Sequence, residues 1–470
     1  MKRVRVAPDR WNFELEGSGD PISPIGGNIL GDLHPVRGTL FDHFDAADCD
    51  RRLGLMADLG LNCLRQAIGC NRVFDPQTGL RAEGLRHWDV FIKLAEKHGI
   101  YLMPVGGYIG GGDWFDIARL ADGDRALAES CAFWDAFSTH YAGHPAIWAW
   151  DLRNELLYSA NPHFLQESGA DPAGTTHAIL SGWPDWLEAR YGTVTAMSTW
   201  HGTSYRSFTE VPAKVDFEEA PFDPRCADVR SYLNERGFQW CKAQCDVIRD
   251  RSPQHMIVQG NNGWLSPDQD LFLANGFHNH ALHELFDFVT IHPYPAHQAA
   301  TGGRGDPLEG GAAADYWYSA CIGMARMEHF GKPIVVQEFG WYGGGRSAFL
   351  GPLPVRTEEE HAEYMEFLIN ALLPHANGFL NWPTFDMPSA ADISNHGGIF
   401  THDGKPKALS RVFRRLAGRV ARSHHTRARA TSTLRASLPG LYTSRTEQDI
   451  LWDRIHEVVR SGGVPDVRFV

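Results

Sequence analysis

The chain has 470 residues, room for two or three average domains or for a single α/β barrel with long loops. Hydrophobic residues make up 43% and charged residues 21%, the balance of a soluble globular enzyme. A net charge of −13 argues against a nucleic-acid surface, and no stretch approaches the roughly eighteen consecutive apolar residues of a membrane-spanning helix.

The 15 tryptophans and 26 phenylalanines fill a core first, but aromatic faces also stack on sugar rings. The eight cysteines are scattered without a Cys-x-x-Cys spacing, which suits free thiols in a reducing compartment. Cys241 and Cys245 share a predicted helix face, where two packed thiols are expected rather than a metal site. The first ten residues are basic but lack an apolar core, so no signal peptide is expected and the chain is placed in the cytoplasm.

Residues 11–30 alternate apolar and polar before running through Gly26-Gly27-Asn28-Ile29-Leu30. This predicts a short hairpin across the bottom of a barrel, then strand one, with Asn28 reaching the top face. Leu53, Leu55, Met56 and Leu59 at helical spacing, stopped by Gly60, predict a helix over 45–59. Strand two follows as Leu61-Asn62-Cys63-Leu64-Arg65-Gln66. Arg65 at its end suits either a hydrogen bond to a catalytic carboxylate or a structural ion pair. Leu85, Trp88, Phe91 and Leu94 repeat the helical pattern over 84–98. Strand three, 100–105, then opens into a glycine-rich loop in which Tyr108 and Trp114 are candidates for stacking on sugar. A helix over about 123–142 leads into strand four.

Strand four is the run Ile147-Trp148-Ala149-Trp150-Asp151-Leu152, which turns polar at Arg153-Asn154-Glu155. After an irregular insertion over 156–225 come a helix over 226–251 and strand five, Met256 to Gly260, ending in Asn261. Strand six, Phe288 to Ile291, ends in His292-Pro293-Tyr294-Pro295, which is either a rigid turn or part of a site. Strand seven, Ile334-Val335-Val336-Gln337, closes on Glu338, with Trp341 just beyond. Strand eight ends at Trp382, and residues 405–418 supply the closing helix. Active sites of parallel barrels sit where the strands stop. Two carboxylates at two such ends are the minimum for cleaving a glycosidic bond with acid/base help. Asn154-Glu155 alone, or Glu338 alone, is a common strand-to-helix turn. Together, in this order among eight strand candidates, they point to a (β/α)8 TIM barrel built around a glutamate pair.

At these residues the sequence resembles the clan A glycoside hydrolases, in the manner of the cellulase-like family 5. In that clan Asn-Glu ends strand four and a second Glu ends strand seven. The resemblance implies Glu155 as acid/base, Glu338 as nucleophile, and Asn154 on the sugar 2-hydroxyl. It further implies Arg65 supporting the nucleophile, His292 and Tyr294 beside it, and Trp382 as floor of the −1 subsite. Asn28, Tyr108, Trp114, Asn261 and Trp341 complete the candidate substrate contacts. The histidine pair that many family 5 enzymes place near strand three is absent. Within the insertion, Tyr191-Gly192-Thr193 and Trp200-His201-Gly202-Thr203 resemble the segment after strand four in family 42 β-galactosidases, a pointer to an exo-acting pocket.

The expected activity is retaining hydrolysis of a small β-linked oligosaccharide or glycoside, with no metal or organic cofactor. The partner is a carbohydrate substrate, not nucleic acid or membrane, and pocket-type relatives leave room for a homo-oligomer. Two alternatives are a catalytically idle carbohydrate-binding barrel, which would normally have lost a glutamate, and a phosphate-handling barrel using Gly343-Gly344-Gly345-Arg346. A metal-dependent hydrolase lacks its His-x-His at the end of strand one. The barrel is assigned to residues 1–420 and a C-terminal, helical extension of unknown role to 421–470. There, from Arg411 to Gly440, eight arginines and no acid suggest packing on an acidic flank, and 445–462 form an amphipathic helix.

Overall fold

The computed structural model describes residues 1–31, 40–107, 124–154, 182–212, 222–260, 282–294, 310–327, 331–340, 346–347, 351–352, 356–390 and 393–470. Its centre is eight parallel strands: β1 (Ile25–Asn28), β2 (Cys63–Ala67), β3 (Tyr101–Val105), β4 (Ala149–Asp151), β5 (Met256–Val258), β6 (Val289–Ile291), β7 (Ile334–Val336) and β8 (Gly378–Asn381). They are hydrogen-bonded in the order β5-β4-β3-β2-β1-β8-β7-β6. The remaining seam is bridged by Asp287, whose amide donates to Ile257 O (3.0 Å). Thr290 Oγ1 adds a second bridge to Gln259 O at 2.7 Å. This is the predicted TIM barrel.

Helices return the chain from each strand top to the next strand bottom: α1 (Ala46–Asp58), α2 (Ala82–His98), α3 (Asp124–His140), α4 (Pro224–Arg251), α5 (Leu282–Leu285), α6 (Gly311–Met327), α7 (Glu358–Leu372) and α8 (Ala408–Val420). Their limits follow local chemistry. Asp45 caps α1 by accepting from the Ala47 and Asp48 amides, and Gly99 ends α2 at φ +69°, a left-handed cap that suits glycine. Helix α7 had no counterpart in the expected elements. It begins with a capping box between Thr357 and Glu360 and buries Tyr364, Met365, Leu368 and Leu372 at helical spacing. Among the described residues, no helix is long and apolar enough to cross a membrane.

The barrel strands alternate between two cores, as a period of two requires. Leu64, Leu102, Trp150, Ile257 and Phe379 point outward to the helices. Cys63, Met103, Ala149, Val258, Val335 and Leu380 fill the barrel interior. At the bottom the interior is plugged by an N-terminal antiparallel sheet (Val4–Val6, Phe13–Leu15, Pro21–Ile22), as the alternation of residues 11–30 predicted. Phe13 meets Trp148 edge-on at 5.1 Å and Phe288 at 5.3 Å.

In the insertion after β4, two helices, Trp183–Tyr191 and Val194–His201, dock on α4. Asp228 of α4 is the anchor: it accepts from Tyr191 Oη (2.6 Å) and His201 Nε2 (2.8 Å) and pairs with Arg190 (3.1 Å).

The C-terminal residues are less helical than expected. Strands Ser432–Ala436 and Pro465–Phe469 pair in parallel, and between them runs α9 (Arg445–Arg460), as its amphipathic pattern predicted. Ile455 of α9 packs where Gly323 of α6 carries no side chain, and Leu434, Trp452 and Val467 join the outer core. Part of the arginine run covers acidic α7: Arg411 pairs with Glu359 (2.6 Å) and Arg415 with Glu366 (2.8 Å).

Candidate active site

Where the strands stop, the interior changes from apolar to ionic within one layer. Arg65 on β2, two residues after Cys63, has the same inward register and no solvent exposure. Its guanidinium donates from Nε to Asp151 Oδ2 (2.6 Å) and from Nη1 to Glu338 Oε1 (2.5 Å) and Asn28 Oδ1 (3.2 Å). Nη2 donates to Asn154 Oδ1 at 2.9 Å. Burying a guanidinium costs several kcal/mol unless its donors are met, about what this ring of acceptors offsets. Gly260 makes the arrangement possible, because a Cβ there would stand 2.5 Å from Arg65 Nη2.

Glu338 sits one residue beyond Gln337, at the barrel mouth, 4% exposed. Oε1 faces Arg65, and Oε2 accepts from Tyr294 Oη at 3.0 Å. His292 Nδ1 lies 3.7 Å from the same Oε2. The other ring nitrogen donates to Gln337 Oε1 at 3.1 Å, and Gln337 Nε2 donates to Asp151 Oδ2 at 2.9 Å, which assigns the proton to Nε2. Burial lowers the His292 pKa, against the opposing pull of the Glu338 carboxylate. Burial pushes the Asp151 pKa up, opposed by the Arg65 guanidinium and the Gly260 amide.

The structure thus brings together Asn28, Arg65, Asn154, His292, Tyr294 and Glu338. Asn28 is fully buried and its amide is spent on the chain: Nδ2 donates to Gln337 O (2.8 Å) and Asn381 O (3.1 Å). Trp382, followed by a cis bond to Pro383, is half-buried beside Tyr294 and Ile393, its indole donating to Ser394 Oγ at 2.9 Å. Glu155, Tyr108, Trp114, Asn261 and Trp341 lie outside the described residues, as do residues 343–345.

Two residues of the cluster were missed in the sequence, Asp151 and Gln337. Both stand inside apolar strand runs. The signal was available: each falls on the inward register, two positions after Ala149 and Val335, where a polar side chain in a buried strand marks the polar layer.

The family model described as β-galactosidase, glycoside hydrolase family 42, matches residues 127–338, from within α3 to Glu338 itself. No curated protein matches the sequence. Among solved structures, the chain is similar to a β-galactosidase from the psychrophilic Marinomonas ef1, with a TM-score of 0.67 and 16% identity over 95% of this chain and 70% of that one. It is similar to an exo-β-1,4-mannosidase from Opitutaceae bacterium strain TAV5, with a TM-score of 0.60 and 16% identity over 99% and 72%. A family 5 subfamily 18 protein from Streptomyces cattleya, in complex with Manβ1-4GlcNAc, gives a TM-score of 0.61 and 14% identity over 95% and 94%. At such identities the structural likenesses speak for the fold. With the family match on sequence over residues 127–338, the barrel resembles those of β-glycosidase-type glycoside hydrolases of clan A.

Proposed function

We propose that the chain hydrolyses a small β-glycoside or β-linked oligosaccharide with retention, using Glu338 as nucleophile and Glu155 as acid/base. The observation that carries this reading is the setting of Glu338: one oxygen on Arg65, the other on Tyr294, at the mouth of a barrel. Both partners donate to the carboxylate and favour its charged form. A Glu338 oxygen attacks the anomeric carbon while Glu155 delivers its proton to the leaving oxygen, giving a glycosyl ester and a free alcohol. Glu155, now ionised, takes a proton from water, and that water opens the ester with the β configuration restored. The negative charge of Glu338 keeps Glu155 protonated before the first step and vanishes in the ester, which frees Glu155 to act as base.

Asn154 is aimed for a sugar contact. Its Oδ1 is taken by Arg65, which directs the Nδ2 donor away from that guanidinium, towards a 2-hydroxyl in this reading. Trp382 is the stacking floor. Asn28 and His292 act from beneath by holding Arg65 and Gln337. Because the similar structures include a β-galactosidase and an exo-β-1,4-mannosidase, β-galactosides and β-mannosides are the first substrates to try.

The test is hydrolysis of aryl β-glycosides (galactoside, mannoside, glucoside, xyloside, fucoside) by wild type and by Glu338→Ala, with and without azide. The expected outcome is turnover of one sugar, loss of about four orders of magnitude or more in the variant, and an α-glycosyl azide when azide is added. An active wild type whose Glu338→Ala form keeps that activity would overturn the assignment.

A further inference from the structure

The double displacement leaves one carboxylate of the cluster without a task. Asp151 on β4 is wholly buried and touches donors on both oxygens: Arg65 Nε (2.6 Å) and Gln337 Nε2 (2.9 Å) on Oδ2, the Gly260 amide (2.9 Å) on Oδ1. Three donors on one carboxyl suit an anion. Arg65 therefore holds two carboxylates at once, Asp151 through Nε and Glu338 through Nη1. One guanidinium cannot neutralise both.

We propose that Asp151 is a positioning residue that tunes Glu338: it locks Arg65 in register and draws part of its positive charge away, so that Glu338 stays basic enough to attack carbon. This rests on Glu338 being the nucleophile. Among the described residues, the groups facing Glu338 are Arg65 from β2, His292 and Tyr294 just beyond β6, and Asp151 acting through Arg65, while Glu155 lies outside the described residues. Arg65 is, among the described residues, the cation shared by the two carboxylates. A carboxylate facing an undivided guanidinium is a weaker base, and nucleophilicity follows basicity.

A purely structural Asp151, a tie between β2, β4 and β5, would behave differently in the pH profile. Asp151→Asn keeps the shape and one acceptor oxygen while removing the charge. The acid limb of kcat/KM, which reports ionisation in the free enzyme, is expected to move to lower pH by roughly half to one unit, with kcat falling about tenfold and KM little changed. Gln337→Met gives the opposite sign. It takes a competing donor from Asp151, strengthens that residue's hold on Arg65, and is expected to raise the acid limb.

Shifts of opposite sign in the two variants support the tuning role, and either variant suffices if the other does not fold. An acid limb fixed at its wild-type position in a folded variant, whatever the loss of rate, overturns it. Azide rescue of Glu338→Ala keeps the two questions apart. Rescue with an unmoved limb removes the role of Asp151 alone, and an active Glu338→Ala removes the nucleophile reading with it.

Discussion

The two ends of the barrel are made by the same eight strands and by opposite physics. At the bottom, Phe13, Trp148 and Phe288 meet edge to face, with Val4, Ile22 and Tyr101 around them. At the top, one layer beyond Met103 and Val335, a buried arginine is divided between two carboxylates. Burial of apolar surface is favourable without a partner of matching shape and charge, so the bottom can hold the strands together by itself. Burial of the top layer is favourable only while every donor meets its acceptor. The consequence is a division of labour. Stability is concentrated where nothing reacts, and the site can carry an ionic cluster that does little for the fold.

Variants at the two ends should therefore separate stability from rate. Phe13→Ala removes a ring from the plug and should cost about 3–5 kcal/mol, read as a lowered urea midpoint. Its kcat and KM, measured well below the new midpoint, should match wild type. Glu338→Ala should do the reverse in rate, losing the activity, while its loss of stability stays smaller than that of Phe13→Ala, because Arg65 keeps Asp151, Asn28 and Asn154 as acceptors. A Phe13→Ala enzyme that melts like wild type but turns over slowly would show that the ends are coupled and break the comparison.

Protons sharpen it. Three histidines stand at strand bottoms, His255 and His375 buried and His425 half-buried. His255 precedes β5 with Nε2 on His144 O (3.0 Å), His375 precedes β8, and His425 lies against Ser23, ahead of β1 (2.8 Å). Burial pushes the pKa of each down to about 4. A histidine whose folded pKa lies below its unfolded value stabilises the fold fully above about pH 6.5 and loses that contribution as pH falls through the folded value. Stability should drop from pH 7 to pH 5, and His375→Gln should shrink that drop by about 2 kcal/mol in urea titrations at the two pH values. An unchanged drop would mean that His375 is not held neutral.

Most of this division was readable from the residues. Each inward-facing strand announced itself as an apolar run ending in polar residues, and residues 11–30 alternated as a plug should. What failed was the reading within a run. Asp151 is hidden in an apolar stretch because Trp148, Trp150 and Leu152 surround it, although period two separates its face from that of Trp150. The parallel pair Ser432–Ala436 and Pro465–Phe469 was missed for a different reason. Each strand is five residues long, and its partner lies beyond a whole helix. No local pattern specifies a non-local pairing of that kind. Helix α7 was overlooked although Thr357 and Glu360 carry the spacing of a capping box.

That capping box supplies the smallest test and the one nearest the site in the fold. Helix α7 follows the strand that carries Glu338, so its first turn lies on the top side of the barrel. Thr357 Oγ1 accepts from the Glu360 amide at 3.2 Å, and the Thr357 amide donates to Glu360 Oε2 at 2.7 Å. Thr357→Ala should cost about 1 kcal/mol of stability, the usual worth of such a cap. Glycosidase kinetics should stay at the wild-type level, because neither residue touches the Arg65 cluster in the observed contacts. A rate loss larger than the stability loss would mean that the position of α7 is transmitted through β7 to Glu338. The boundary between the stabilising and reacting parts would then fall inside the top face, and not halfway down the strands.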